Sequence, residues 1–331
     1  MVAVSDVEYA YRLILGREAE SKEVLERFAK DCASVSELRR RFLASSEFKV
    51  QFSRLVRDTG PKAQLKSLDW EKTPVDVRVS RENLTQMIRR VEATWEGLGR
   101  REPHWSVLTH DQFRAEVIGQ NEAAFFASGE AAANLMRSAA VRCGVDIGGY
   151  ETCFELGCGV GRVTIWLAKM FPRVLAADIS SPHLELAKET LAKYDAHNVD
   201  LLKLAKIDDI AQLPSFDVFF SVIVLQHNPP PVMHYILEVI LDKIKPNGIG
   251  YFQIPTYSSG YSFHSEEYIS KVKNPGNMEM HVLPQDTLFG LIDRSNCELL
   301  EIREDGWTGN AQTVSNSVLV RKRSPAKRVA T

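Results

Sequence analysis

Apolar residues recur along this chain with three rhythms, and each predicts a different kind of element. Over the first sixty positions the spacing is helical. Val7, Tyr11 and Ile14 fall on one face, followed by Val24, Leu25 and Phe28, then Leu38 and Phe42, then Phe48, Phe52 and Leu55. Residues three and four apart share a face of an α-helix, so this stretch predicts a small helical bundle. Ser5 to Glu8 and Ser34 to Glu37 have capping-box spacing, and Gly16 suits a left-handed C-terminal cap. Thr59-Gly60-Pro61 and Lys72-Thr73-Pro74 punctuate a connecting segment. From Ser80 to Gly144 the pattern is helical again, with Leu84, Ile88, Val91 and Trp95 on one face. Two further helical stretches, His110 to Phe126 and Glu130 to Cys143, are separated by Ser128-Gly129, which reads as a break.

From Tyr150 onward short apolar runs alternate with helical stretches, the signature of βα units and a parallel sheet. The runs predict strands at Thr152–Leu156, Arg173–Ala177, Val199–Leu204, Asp217–Val222, Ile249–Ile254, Glu298–Arg303 and Val318–Arg321. Helices are predicted at Arg162–Met170, Pro182–Tyr194, Pro230–Ile244 and Pro284–Arg294, and Lys245-Pro246-Asn247-Gly248 reads as a stop and turn. No helix separates the last two strands, which are expected to pair as an antiparallel hairpin at the end of the sheet. The expected organisation is a helical domain over 1–60, a linker over 61–79 and a helical cap over 80–145. An α/β domain over 146–323 and a basic tail over 324–331 follow.

Composition narrows the function classes. Lys and Arg total 41 against 43 Asp and Glu, a net charge of −2. No global field exists to hold a polyanion, so a nucleic-acid partner is not expected. No apolar run is long enough to span a bilayer. The opening residues lack a basic and then apolar leader, which predicts a cytoplasmic place. The cysteines, Cys32, Cys143, Cys153, Cys158 and Cys297, are odd in number and contain no C-x-x-C pair. Neither a disulfide framework nor a metal site is expected.

The candidate chemistry lies in Glu155-Leu156-Gly157-Cys158-Gly159-Val160-Gly161-Arg162, between a predicted strand and helix. Glycines there let a ligand approach the backbone, and the helix that follows offers unpaired N–H groups. A dinucleotide turn requires G-x-G-x-x-G. Here the third glycine comes one position early, Arg162 stands in its place, and Glu155 precedes the turn. An acid would repel a pyrophosphate but suits an ammonium group. S-adenosylmethionine carries an ammonium, a carboxylate and a sulfonium, and no phosphate. Asp178 ends the second strand 21 residues after Gly157, where an acid can accept both ribose hydroxyls.

These residues resemble the class I S-adenosylmethionine-dependent methyltransferase family over about Tyr150 to Arg323. Glu155, Gly157, Gly159 and Gly161 match its first motif and Asp178 its ribose-binding acid. The resemblance implies a Rossmann-like, seven-stranded α/β sheet with a final antiparallel hairpin, and S-adenosylmethionine as cofactor. The expected cofactor residues are Glu155, Gly157, Cys158, Gly159, Gly161, Arg162, Asp178, Ile179 and Gln226, with Ile207 and Asp208 beside the adenine. The segment Ala205-Lys206-Ile207-Asp208-Asp209 departs from the family's G-D-A form. The N-terminal stretch is similar to a bacterial helical domain of unassigned function that opens Y-R-x-x-L-G-R and closes F-x-x-S-x-E-F. Here these are Tyr11 to Arg17 and Phe42 to Phe48. It implies either a docking module for a protein partner or a structural appendage.

On the acceptor side, the loop after the fourth strand carries His227, the expected general base. Asn228-Pro229-Pro230 looks like the motif of amino-methylating nucleic-acid methyltransferases. It lies too far from Phe216-Asp217 and is followed by Pro231 rather than an aromatic, so the match is rejected and Asn228 is expected to cap the next helix. Tyr257, Tyr261 and His264, in a long hydroxyl-rich loop, and His281 are the expected acceptor-binding residues. Ser128-Gly129 is expected to close over the methionine carboxylate. The reading is a methyltransferase moving a methyl group to a small-molecule or glycan-related acceptor, with O-methylation favoured. A catalytically silent cofactor-binding scaffold and an NAD-dependent oxidoreductase are the alternatives.

Overall fold

The computed structural model describes residues 2–48, 72–271 and 277–324. They fall into two compact units, one within Met1–Lys66 and one within Ser67–Thr331. The smaller holds α1 (Val4–Leu15), α2 (Lys22–Asp31) and α3 (Val35–Ala44). Its core gathers Val7, Tyr11, Leu15, Leu38 and Phe42, with the Phe42 ring edge-on to Tyr11 at 5.0 Å. Gly16 takes φ +65° and ends α1, as its missing Cβ allows. The expected Ser5 cap is not formed: α1 starts earlier, the Ala3 amide donates to the Asp6 carboxylate at 2.9 Å, and Ser5 lies inside the first turn. Ser34 does cap α3, accepting from the Glu37 amide at 3.2 Å, but Glu37 reaches back to the Ala33 amide. Phe52 and Leu55 of the expected last helix, the Thr59-Gly60-Pro61 boundary and residues 325–331 of the tail lie outside the described residues.

In the larger unit α4 (Arg81–Arg101), α5 (Pro103–Val107) and α6 (Ile118–Arg142) precede a seven-stranded α/β sheet. The sheet and its helices run β1 (Thr152–Leu156), α7 (Thr164–Met170), β2 (Arg173–Asp178), α8 (Ser181–Lys193), β3 (Val199–Lys203), α9 (Ile207–Ala211) and β4 (Phe216–Ser221). Then come α10 (Pro230–Lys243), β5 (Ile244–Ser258), α11 (Ser265–Ser270), α12 (Gln285–Arg294), β6 (Cys297–Asp305) and β7 (Thr313–Lys322). The spatial order is β3-β2-β1-β4-β5-β7-β6. The first five strands are parallel, and β7 is antiparallel to both β5 and β6, as the missing helix between the last two strands implied. Phenylalanines 154, 216, 219 and 252 stack across the buried sheet face. Strand order reverses beside β1, which opens a crevice at the carboxyl ends of β1 and β4.

Lys245-Pro246-Asn247-Gly248 does not end before β5 but sits inside it as a bulge. Phe216 pairs with Ile244 and Val218 with Ile249, so three extra residues are accommodated on β5. Asn247 takes φ +65°, and a Cβ on Gly248 would lie 2.4 Å from the Asp217 carbonyl oxygen. Among the described residues no helix is long and apolar enough to cross a membrane.

The expected break at Ser128-Gly129 is wrong. One helix, α6, runs through both residues, while the residues before it form only a short 3-10 turn at Asp111–Phe113. Ser128 Oγ donates to the Phe125 carbonyl within the helix at 2.6 Å. Gly129 is there for packing: a Cβ would meet the Arg162 carbonyl oxygen at 2.0 Å. Gly129→Ala is therefore expected to destabilise the larger unit by about 1–3 kcal/mol. Gly119→Ala, in the same helix with nothing within 4 Å of the added atom, is expected to be neutral or stabilising by up to about 1 kcal/mol. Denaturant midpoints of the two variants check this, and equal midpoints would contradict the packing role.

Candidate active site

The crevice holds a cavity walled by the glycine turn after β1, by Asp178 and Ile179 after β2, and by Ile223, Val224 and Asn228 after β4. Its unfilled space is about 1020 Å³ with the open mouth, and it narrows at the glycine turn. The reason is visible at the turn: Gly157, Gly159 and Gly161 take φ of +78°, +53° and +85°. A Cβ on Gly159 would lie 2.5 Å from Val107 Cγ2, and one on Gly157 2.2 Å from Val224 Cγ2. Two valines lie on the glycines, one from α5 and one from the loop after β4.

Asp178 pins the turn from below. Its Oδ2 accepts from the Gly159 amide at 2.8 Å and its Oδ1 from the Ser180 amide at 2.9 Å. Glu155 is 2% exposed, and its Oε2 accepts from Thr164 Oγ1 at 2.6 Å. Burial raises its pKa to about 7, a rise that the Thr164 bond and the nearby Arg162 charge only partly offset. Arg162 is 3% exposed; its Nη1 donates to Ser128 Oγ at 3.1 Å, and its Nε has no partner. Burial lowers its pKa to about 10. Cys158 also lines the cavity, and burial holds its thiol well above the ordinary range, so it is no nucleophile.

Of the expected cofactor residues, Glu155, Gly157, Cys158, Gly159, Arg162, Asp178 and Ile179 line this one cavity. Gly161 does not; it faces Thr190 and Ala187 of α8, and its positive φ shapes the turn. Ile207 and Asp208 are corrected. The segment forms α9, which turns Ile210 rather than Ile207 onto the cavity, next to Leu204. Asp208 is exposed and pairs with Arg81 at 2.5 Å.

Gln226 and His227 are also corrected, because neither lines the cavity. Gln226 belongs to a directed chain of hydrogen bonds. The Ile223 amide donates to Gln253 Oε1 at 3.0 Å, Gln253 Nε2 to Gln226 Oε1 at 3.0 Å, and Gln226 Nε2 meets His227 Nε2 at 3.2 Å. His227 Nδ1 meets the Glu279 carbonyl oxygen at 2.8 Å and must donate to it. Its Nε2 lone pair is thus already engaged, and burial lowers its pKa to about 4. This imidazole is a poor base near neutrality. The chain instead holds Ile223 at φ +59°, a conformation that costs a β-branched residue energy and that aims the cavity wall after β4. Asn228 does not cap α10. Pro229 does so without a side-chain bond, and Asn228 Nδ2 donates to the Val224 carbonyl at 2.9 Å.

The expected acceptor residues do not line the cavity either. Tyr261 Oη and His281 Nδ1 are joined at 2.9 Å, and His281 Nε2 lies 3.0 Å from Glu279 Oε2. The His281 amide donates to the Gln226 carbonyl at 2.7 Å, which ties this trio to the loop after β4. Tyr257 is half-buried in β5, and His264 is exposed at the start of α11. The loop is shorter than expected because β5 extends to Ser258 and α11 begins at Ser265. Periodicity placed Ile88, Val91 and Trp95 on one helical face but did not show that this face roofs the cavity. Ser106, Val107 and His183 complete the roof, with Trp95 5.3 Å from the His227 ring and His183 Nε2 2.9 Å from Ser106 Oγ.

Residues 154–249, which hold the turn, Asp178 and the strands around the crevice, match the model of a family described as a methyltransferase domain. Over these residues the chain is similar to a methyltransferase domain. No curated protein matches the chain significantly. Among solved structures, magnesium protoporphyrin IX methyltransferase from Synechocystis PCC 6803 with bound SAM is 13% identical. The match covers 76% of this chain and 100% of that one at a TM-score of 0.48. An S-adenosylmethionine-dependent methyltransferase from Clostridium acetobutylicum ATCC 824 is 13% identical over 58% and 91%, at 0.44. The N-terminal domain of EvdMO1 with SAH bound is 19% identical over 59% and 81%, at 0.42. Likenesses this loose carry no argument about substrate.

The cavity keeps a carboxylate, Glu155, where burial favours its neutral form. Its folded pKa of about 7 lies above the ordinary 4.5, so its contribution to stability is full below about pH 4.5 and is lost as the pH rises through about 7. Glu155→Gln is expected to remove that slope and to make the ligand-free protein more stable than wild type at pH 8, by up to about 3 kcal/mol. Denaturant midpoints at pH 5 and pH 8 check this; an unchanged slope in the variant would contradict it.

Proposed function

We propose that this protein transfers a methyl group from S-adenosylmethionine to a hydroxyl of a small-molecule or glycan-related acceptor. The observation that carries the cofactor half is an acid left almost without compensation in a glycine-lined cavity. Glu155 has one hydroxyl partner and a pKa raised to about 7, which suits a ligand bearing an ammonium and not one bearing a pyrophosphate. The same charge argues against the NAD-dependent alternative.

When bound, the cofactor supplies an electrophilic methyl group on a sulfonium. Glu155 receives its ammonium. Asp178 accepts one backbone amide at each oxygen and keeps a further lone pair on each for the ribose hydroxyls. Ile179, Leu204 and Ile210 give the adenine an apolar bed. Methyl transfer from a sulfonium depends mainly on in-line placement, and the strained Ile223 and the Trp95 roof bound the approach. The proton leaving the acceptor does not go to His227.

The hydroxyl preference is supported by exposed Ser259 and Ser262 and half-buried Tyr257 and Tyr261 after β5. A cytoplasmic place suits five unpaired cysteines. Residues 1–60 are proposed as a docking module, for which Tyr9 and Leu13 of α1, 60% and 83% exposed, offer apolar contacts. The test is incubation with methyl-labelled S-adenosylmethionine and fractionated cell extract, followed by mass analysis. Label in a small or glycan-bearing fraction on an oxygen is expected. Cofactor binding with no label in any fraction would favour the silent scaffold.

A further inference from the structure

Among the described residues the charged side chains that line the cavity are Glu155, Arg162 and Asp178, and all three lie at the glycine turn or at the end of β2. The wall at the end of β4 is uncharged and consists of Ile223, Val224 and Asn228, with Trp95 and Val107 in the roof above. Ser106 and His183 also belong to the roof, but their polar atoms are engaged or turned away. Ser106 Oγ donates to the Pro103 carbonyl at 3.0 Å and meets His183 Nε2 at 2.9 Å. His183 Nδ1 faces the backbone of α4, where a Cβ on Gly99 would lie 2.9 Å from it. Asn228 Nδ2 donates to the Val224 carbonyl at 2.9 Å, which fixes the amide and leaves Oδ1 without a partner among the described residues. The Trp95 ring centre lies 5.3 Å from that of His227 and 6.2 Å from that of His183. The adjacent Glu96 ties α4 down by accepting from the Ser181 amide at 2.9 Å and from Lys203 Nζ at 3.1 Å. The β4 side of the cavity is thus a fixed aromatic ring, apolar walls and one open amide oxygen.

We infer that the methyl acceptor is a small aromatic alcohol, a phenol, whose ring lies on Trp95 and whose hydroxyl donates to Asn228 Oδ1. The inference rests on the methyltransferase reading and deepens it, because it chooses between the two acceptor classes proposed above. A sugar ring carries several hydroxyls, and each one buried without a partner is costly. One open oxygen serves one donor, and the hydroxyl-bearing residues after β5 do not line the cavity. An anionic acceptor would find no cation at this wall. A flat apolar ring loses little by leaving water and gains the face of Trp95. The lack of a base points the same way. His227 is engaged with the Glu279 carbonyl and an amide cannot take a proton, so the end of β4 holds no base. A phenol needs none, because its hydroxyl ionises near a pH of about 10, as tyrosine does, and an aliphatic hydroxyl only far above that. As the oxygen's electron pair forms the new C–O bond, the C–S pair returns to sulfur and the phenolic proton passes to water, which leaves a methyl ether and S-adenosylhomocysteine.

The test incubates the full chain with methyl-labelled S-adenosylmethionine and fractionated cell extract, then partitions the product between ethyl acetate and water at neutral pH. Label in the organic phase, on a product that absorbs in the near ultraviolet, is expected. Label confined to the aqueous phase, or carried on a carbohydrate, overturns the inference. Trp95→Leu and Trp95→Phe are then compared on the organic-soluble extract. The Leu variant is expected to raise the amount of extract needed for half-maximal labelling at least about tenfold, the worth of a buried aromatic contact, while the half-saturating cofactor concentration shifts less than about threefold. The Phe variant keeps a ring and is expected to stay within about threefold of wild type for both. A Leu variant that saturates like wild type, or equal shifts for extract and cofactor, overturns the role of Trp95. The partition result is read on wild type, so it decides the acceptor class even if a melting curve shows that Trp95→Leu does not fold. Label in no fraction at all, organic or aqueous, would instead defeat the methyltransferase reading itself.

Discussion

One carboxylate fixes the floor of the cavity. Asp178, at the end of β2, accepts from the Gly159 amide with one oxygen and from the Ser180 amide with the other. The first bond holds the glycine turn against the neighbouring strand, and the second sets the residue that caps α8. Gly157 and Cys158 add backbone bonds from their amides to the Ala177 carbonyl, at 2.7 and 3.0 Å. The turn is therefore anchored to β2 at three points before any ligand arrives. What remains above it is decided by burial: a carboxyl with a raised pKa, a guanidinium with an unused Nε, and a roof of valines and Trp95.

The sheet was legible because its signals are local. Each strand is a short apolar run between turn residues, and the strand–glycine–helix unit carries its chemistry within eight residues, Glu155 to Arg162. What misled was long-range. Ser128-Gly129 looks like a break, and only the Arg162 carbonyl pressed against Gly129 explains a glycine inside a helix. Ile207 and Asp208 sit in a five-residue helix too short for periodicity to reveal, so the inward residue shifted to Ile210. His227 carries the right functional group, but burial and the amide chain from Gln253 remove its basicity. Nothing in the sequence shows which nitrogen of a histidine is engaged. Trp95 and Val107 were visible as apolar positions, yet only packing across the chain makes them cavity walls.

The signature of the N-terminal unit has a folding explanation. Arg17, the last residue of the Y-R-x-x-L-G-R pattern, donates to Glu47 through Nε at 2.5 Å and Nη2 at 2.8 Å. Its guanidinium lies over the ring of Tyr11, the first residue of the pattern, at 5.0 Å. Gly16 lets the chain leave α1 so that this arginine can turn back. The spaced residues thus close one small bundle, and the exposed Tyr9 and Leu13 stand outside that closure.

The central claim is that the cavity beside β1 takes a sulfonium nucleoside and rejects a pyrophosphate. Calorimetric titration of the whole protein with S-adenosylhomocysteine and with NADH, at pH 8 where Glu155 is ionised, tests it most directly. The account predicts saturable binding of the first and none of the second. Binding of NADH with no response to S-adenosylhomocysteine would contradict it.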